Sequence, residues 1–188
     1  SAENKTSISN TPLVLSYSPI QLTDGLSLVP SASLLLPTNE DDRDDNTFQT
    51  TITAGASLVA PLSLGSKILE NAYTLKAANN IHELDRNSKN EENVERTLSQ
   101  SISTSLGISE AISISASFGY TMAWTYQNTF KSTYSNSQSI DLALSKSINL
   151  GLSHSIRGNA LSPNGRDRNI KLFDERSSTI SASITLVN

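Results

Sequence analysis

From Leu98 to Ile156 large apolar residues alternate with small polar ones in a single phase. Even positions from 98 to 126 are dominated by Leu, Ile, Phe, Tyr, Met and Trp, while odd positions from 99 to 125 hold only Ser, Gly, Ala and Thr. After a polar patch the pattern resumes on even positions from Ile140 to Ile156. Successive side chains of a strand point to opposite faces, so this period of two predicts β-structure with one greasy face and one small hydroxylated face. Strands of ordinary domains run about five or six residues. An unbroken first run of about 27 residues would reach roughly 90 Å, so such a strand needs partners from other chains, a membrane, or both.

The rest of the composition narrows the options by exclusion. The chain has 188 residues, enough for one domain with a real core. Charged residues make up only 17% and the net charge is −4, so the polar surface is mostly Ser, Thr and Asn and there is no basic footprint for nucleic acid. With no cysteine, disulfides and thiolate metal sites are ruled out. No stretch approaches the ~20 apolar residues of a spanning helix, so a membrane would be reached by strands. The first residues do not read as a signal peptide, and a start at Ser1 is expected of a processed chain.

Along the chain, residues 1–65 predict irregular short strands. Pro12, Pro19, Pro30 and Pro37 interrupt Leu13–Tyr17 and Ser31–Leu36, as suits edge strands. Asn4-Lys5-Thr6 is a nominal glycosylation sequon. An acidic loop covers 39–46, and Phe48, Ile52, Ala54, Ala56 and Leu58 alternate in phase. Residues 66–96 predict one helix over 66–85, on the stripe Leu69, Ala72, Tyr73, Leu75, Ala78, Ile81 and Leu84, followed by a charged linker over 85–96. Residues 97–157 predict a long hairpin. Residues 158–188 predict a turn at Pro163-Asn164-Gly165 and a last strand with Ile180, Ile184 and Leu186 in phase.

For the hairpin, a turn centred near Ser132 keeps the apolar face continuous between the arms, because a one-residue slip would turn every side chain over. It sets Phe118 across from Lys146 and Glu110 across from His154. Ile112, Ile114, Phe118 and Met122 on one arm, with Ile140, Leu142, Leu144 and Ile148 on the other, form the face suited to lipid. Ser113, Ser115, Ser117 and Thr121, with Ser145, Ser147 and Asn149, form the face suited to a water-filled lumen. Tyr120, Trp124, Tyr126, Phe130 and Tyr134 gather near the reversal, as aromatic rings do at lipid headgroups. Lys146 opposes this reading, since a lysine at mid-bilayer depth on a barrel costs roughly 2–4 kcal/mol. The same alternation also describes any half-buried antiparallel sheet.

The segment 97–157 resembles the membrane-inserting hairpin of β-barrel pore-forming toxins, the aerolysin and epsilon-toxin-like group and the binary-toxin translocation subunits among them. Ser113-Ile114-Ser115-Ala116-Ser117-Phe118-Gly119 and Ser145-Lys146-Ser147-Ile148-Asn149-Leu150 carry the likeness. It covers about a third of the chain, and the remainder matches no receptor-binding module. The resemblance implies secretion in a soluble form, assembly into a homo-oligomer on membrane lipid, and release of the hairpin into a barrel. The fold class expected is therefore mainly β: an elongated antiparallel sheet with a very long amphipathic hairpin that closes an oligomeric barrel, plus one short helix. The rivals are a self-assembling pilus, fibre or shell subunit joined by strand complementation, and a multi-subunit outer-membrane export channel.

Candidate chemistry is sparse. His82 and His154 are the only histidines, and His82 beside Glu83 lacks the second His of a zinc-protease helix. Asp42, Asp44 and Asn46 have the opening spacing of a calcium loop, but Thr47 replaces its Gly and Thr53 its bidentate Glu. A non-enzyme with no cofactor and no catalytic or metal-binding residues is expected.

Overall fold

A computed structural model describes residues 9–145, 147–162 and 165–186. Its strands are β1 (Thr11–Ser16), β2 (Ile20–Thr23), β3 (Leu26–Leu36), β4 (Phe48–Leu64), β5 (Lys67–His82), β6 (Val94–Gly107), β7 (Ile112–Thr125), β8 (Phe130–Ser145), β9 (Ile148–Asn159) and β10 (Ser178–Leu186). A five-residue helix, α1 (Glu40–Asp44), lies between β3 and β4. All ten strands join one antiparallel sheet in the order β1-β3-β4-β5-β6-β7-β8-β9-β10. β2 also pairs with β3, below β1: β1 lies against Ser31–Leu36 and β2 against Leu26–Leu28. The two act as one interrupted edge strand, broken around Pro19, and the sheet is a meander nine strands wide.

The 97–157 region is four strands rather than one long hairpin. β6 ends at Gly107, and Ile108–Ala111 form a turn in which the Ile108 N–H donates to the Ile112 carbonyl at 2.8 Å. The Ser109 hydroxyl accepts from the Ile112 N–H at 3.1 Å. Across this turn Ile102 pairs with Phe118 and Leu106 with Ile114, even position to even position. The turn therefore preserves the phase of the alternation and leaves no mark in the period. The same parity holds from β7 to β8 and over most of β8 to β9.

The reversal expected near Ser132 falls instead between Thr125 and Phe130, where Asn128 takes a left-handed φ of 62°. Phe118 consequently faces Asn136 rather than Lys146, which lies outside the described residues. His154 sits between Gln138 and Ile180, while Glu110 is in the β6–β7 turn.

The helix expected over 66–85 is β5. Its other reading, Leu69, Tyr73, Leu75, Ala77 and Ile81, has a period of two, and β-branched or amide residues such as Thr74, Asn79 and Asn80 weaken a helix. Gly65 takes a φ of 66° in the tight β4–β5 turn and does not precede a helix start. The helix that does form lies in the acidic 39–46 segment, where the Asn39 side chain caps the Asp42 N–H at 3.0 Å and three acids sit in the favourable first turn. Of the expected turn at 163–165, only Gly165 lies within the described residues, at a φ of 69°.

The sheet's two ends differ. One carries the long connections 37–47 and 83–93 and the one from β9 to β10, together with the 126–129 turn; the other carries the tight turns at 24–25, 65–66 and 108–111 and the reversal from β8 to β9. Burial is concentrated at the loop end. Among the described residues, Phe48, Tyr134, Ile156 and Ala160 are the buried apolar ones, and Asn93, Thr125, Ser132 and Asn136 are buried polar ones.

Candidate functional surface: two faces of one sheet

Register carries the alternation across the whole sheet, beyond the region where the sequence is most regular. On one face, Leu62, Leu69, Leu106, Ile114, Ile140, Leu152 and Ala182 form a row across seven consecutive strands. Nearer the turns, Ile112, Leu142, Leu150 and Ile184 form a second row. Leu144 and Ile148 extend this band to the rim. These side chains are largely in the open: Ile140 is 52% exposed, Leu144 56% and Leu152 53%. A contiguous apolar band of this width on a single-layer sheet is the kind of surface that meets a membrane or another protein.

The band has a polar boundary. Asn71, Thr104, Ala116, Gln138 and His154 form the next row toward the loops. The Thr104 hydroxyl donates to Asn71 Oδ1 at 3.0 Å. His154 Nδ1 lies 2.7 Å from Gln138 Oε1, an atom that only accepts. That contact puts a proton on Nδ1, and Nε2 lies 3.1 Å from the Ser178 hydroxyl. Beyond this row the same face becomes aromatic, with Phe118, Tyr120, Met122 and Trp124 following one another on β7. β3, through Leu26, Leu28, Pro30, Ala32, Leu34 and Leu36, and β7 keep the apolar character from end to end. On β8 it stops at Ile140, since Ser132, Asn136 and Gln138 occupy the remaining positions along with Tyr134.

The five aromatics expected at a membrane interface divide into different environments. Trp124 packs against Phe130 with ring centroids 5.6 Å apart, and Phe130 is 43% exposed. Tyr134 is only 3% exposed, with Ile156 and Ala160 in its cluster and Phe118 and Tyr120 packed against it. Tyr126 holds the loop end together: its hydroxyl donates to the Asn80 carbonyl at 2.8 Å and accepts from the His82 N–H at 3.1 Å.

The opposite face is a hydroxyl ladder. Ser105, Ser115, Ser139, Ser153 and Ser181 lie side by side on five strands, and Ser103, Ser117, Ser137, Ser155 and Thr179 form a parallel row. Neighbours bond laterally: Ser115 to Ser139 and Ser117 to Ser137 at 2.8 Å, and Ser99 to Thr121 at 3.0 Å. Ser113 and Asn149 belong to the same face, opposite Asp141 and Ala143. Ser145 and Ser147 instead sit at the β8–β9 turn, where the Ser145 hydroxyl accepts from the Ser147 N–H at 3.2 Å. Charges on this face are few and scattered. Asp141 accepts from Ser139 at 3.1 Å toward the turns, Glu70 pairs with Ser105 at the end of the ladder, Lys76 pairs with Ser99, and Lys131 and Arg157 lie toward the loops. Ser181 and the participation of β4, β5 and β10 in the two faces were not distinguished from the sequence; the strand-to-strand register reveals them.

The expected linker 85–96 is instead a packed clamp. Asn93 is buried, and its amide donates to the carbonyls of Leu84 at 2.9 Å and Asn46 at 3.2 Å and to the Thr47 hydroxyl at 3.3 Å. His82 stands between Phe48 and Tyr126, with ring centroids at 5.7 and 5.9 Å. Burial holds its pKa below the ordinary histidine value. Beside it a cleft of about 370 Å³ is lined in part by Asp42, Asn46, Glu92 and Asn10. The Asp42 carboxylate is taken by the Asn10 and Asn46 amides at 2.7 and 2.9 Å. The Thr125 hydroxyl donates to Glu92 at 2.9 Å, and hydrogen bonds from Thr129 and Thr125 hold that carboxyl below its usual range. This polar network ties three connections and Asn10 together and, among the described residues, presents no nucleophile–base pair. No family model, curated protein or solved structure matches the chain.

Proposed function

We propose that this chain is a wall segment of an oligomeric transmembrane β-barrel that perforates a membrane and acts without catalysis. The observation that carries the reading is the pairing of a seven-strand apolar row with a five-strand serine ladder on opposite faces of one sheet. That is the division a barrel wall needs between lipid and a water-filled lumen. Strands β4 to β9 have 12 to 17 residues, more than the 9–11 or so that cross a hydrocarbon core. Tight turns at one end and long connections at the other match the asymmetry of membrane barrels. The open edges at β1 and β10 cannot rest in lipid unpaired, so further copies of the chain close the barrel. Delivery as a secreted, water-soluble form follows from the resemblance to pore-forming toxins.

Release of a trapped dye from liposomes, with imaging of the same sample, tests the reading. Ring-shaped particles and dye release are expected; continuous filaments without release would favour a fibre subunit instead. Ile114→Asp and Leu144→Asp should abolish release while leaving the soluble fold intact. A Ser115→Cys variant should be labelled by water-soluble thiol reagents in the inserted state, and Ile114→Cys should not. Equal labelling of the two would refute the division of faces. In planar bilayers the hydroxyl-lined path should be weakly selective and turn toward anions on Ser115→Lys.

A further inference from the structure

Residues 179–185 read Thr-Ile-Ser-Ala-Ser-Ile-Thr, identical in both directions about Ala182. They lie in β10, which forms one edge of the sheet and pairs only with β9 among the described strands. Exposed edges normally carry proline, charge or a bulge that discourages further pairing. The opposite edge has such devices: Pro12, Pro19 and the break between β1 and β2. β10 has no proline, glycine or charged residue in Ser178–Leu186. Its Ile180 and Ile184 are 70% and 72% exposed.

We propose that β10 is an assembly seam in which two copies of the chain pair edge to edge, antiparallel, about a two-fold axis at Ala182. An isologous strand pair sets each residue against its mirror position, and here the palindrome makes every facing pair identical. Thr179 then faces Thr185 of the second copy, Ile180 faces Ile184, Ser181 faces Ser183, and Ala182 faces itself. The pairing joins even positions to even positions, so the apolar face continues across the seam. The serine ladder that reaches Ser181 also continues, onto Ser183 of the second copy. Hydroxyl pairs and β-branched pairs of this kind each favour an antiparallel junction. The alternative, β10 against the β1 edge of the next copy head to tail, would be parallel, because a meander nine strands wide leaves both edge strands running the same way. Every other junction in the sheet is antiparallel.

The seam belongs to the lipid-free form: its two-fold sets one copy's turn end beside the other's loop end, whereas a barrel needs all copies in one orientation. It would therefore part before a barrel closes and is tested in lipid-free solution, apart from any membrane assay. The chain has no cysteine, which makes single-cysteine variants clean reporters. Facing residues of an antiparallel pair have Cα atoms about 4.5–5.5 Å apart, within the range a disulfide bridges. Ala182→Cys should therefore form a covalent dimer on mild oxidation. Ile180→Cys alone should cross-link at least about tenfold more slowly, since its own copy lies four residues away, roughly 13 Å. An equimolar mixture of Ile180→Cys and Ile184→Cys should restore efficient cross-linking as a mixed dimer. Ile184→Lys, at a position already exposed, should shift the mass by light scattering from dimer to monomer with the circular dichroism unchanged. A monomeric native protein, an Ala182→Cys variant that does not cross-link, or Ile180→Cys cross-linking as fast as Ala182→Cys would overturn the seam.

Discussion

The loop end and the turn end of this sheet are made from the same strands yet are held together in different ways. At the loop end, long connections fold back on the sheet, bury Tyr134 and Ile156, and satisfy one another through Asn93, Tyr126 and the Asp42 carboxylate. At the turn end the chain reverses in a few residues, and beyond the strand ladders the large apolar side chains have little to pack against. The first end is where tertiary interactions hold the meander in one arrangement. The second keeps whole apolar rows available, the property a surface needs if it is to enter a membrane; exposed apolar side chains also occur toward the loops, Ile52, Leu84, Leu172 and Phe173 among them, but outside those rows. Ordinary folding stability and the proposed activity therefore reside at opposite ends of the same strands.

Substitutions at the two ends should separate these properties. Tyr134→Ala should have the largest effect, about 3–5 kcal/mol lost in denaturant unfolding, as for other large aromatic truncations in a packed cluster. Ile140→Ala, in the exposed band on the same strand, should cost under about 1 kcal/mol. If both cost the same, the turn end is covered by something and the contrast between the ends fails.

Asn93→Ala comes next, at about 1–3 kcal/mol, because it removes a buried amide that donates to carbonyls of two separate connections. Hydrogen exchange should show the loss as faster exchange in 39–47 and 83–93, with the β6–β7 turn unaffected. Uniform acceleration over the sheet would mean that the loop end is not a separate clamp.

A smaller effect should appear with pH. His82 has a folded pKa below its unfolded value of about 6.5, so the unfolded chain binds the proton more readily. Its contribution is then fully present above the unfolded pKa and is lost as pH falls through 6.5 toward the lowered folded value. Thermal melts should show this slope in the native chain and not in His82→Phe, and an identical slope in both would remove His82 from the clamp. Smallest in water should be Ile114→Ser, within about 0.5–1 kcal/mol of native stability but with clearly weakened binding to liposomes. Unchanged partitioning would detach the band from lipid.

How much of this was legible beforehand follows from which interactions are local. Ile112, Ile114 and Ser113, Ser115 could be assigned to opposite faces without coordinates, because alternation is a property of neighbouring residues. The places where the strands turn could not. The Ile108–Ala111 turn joins even positions to even positions, so the period runs through it undisturbed and four strands looked like two. β5 supported two periods, and its neighbours β4 and β6, which lie against both of its sides, selected the strand. Asn93 and His82 carried no local signal of their role, since their partners come from segments such as 46–48 and 126 that only the folded sheet brings near. Local periodicity determined an antiparallel β chain with one apolar and one hydroxyl face. The tertiary structure decided the strand count, the register, the clamp at one end and the open edge at β10, because each depends on contacts between residues far apart in the chain.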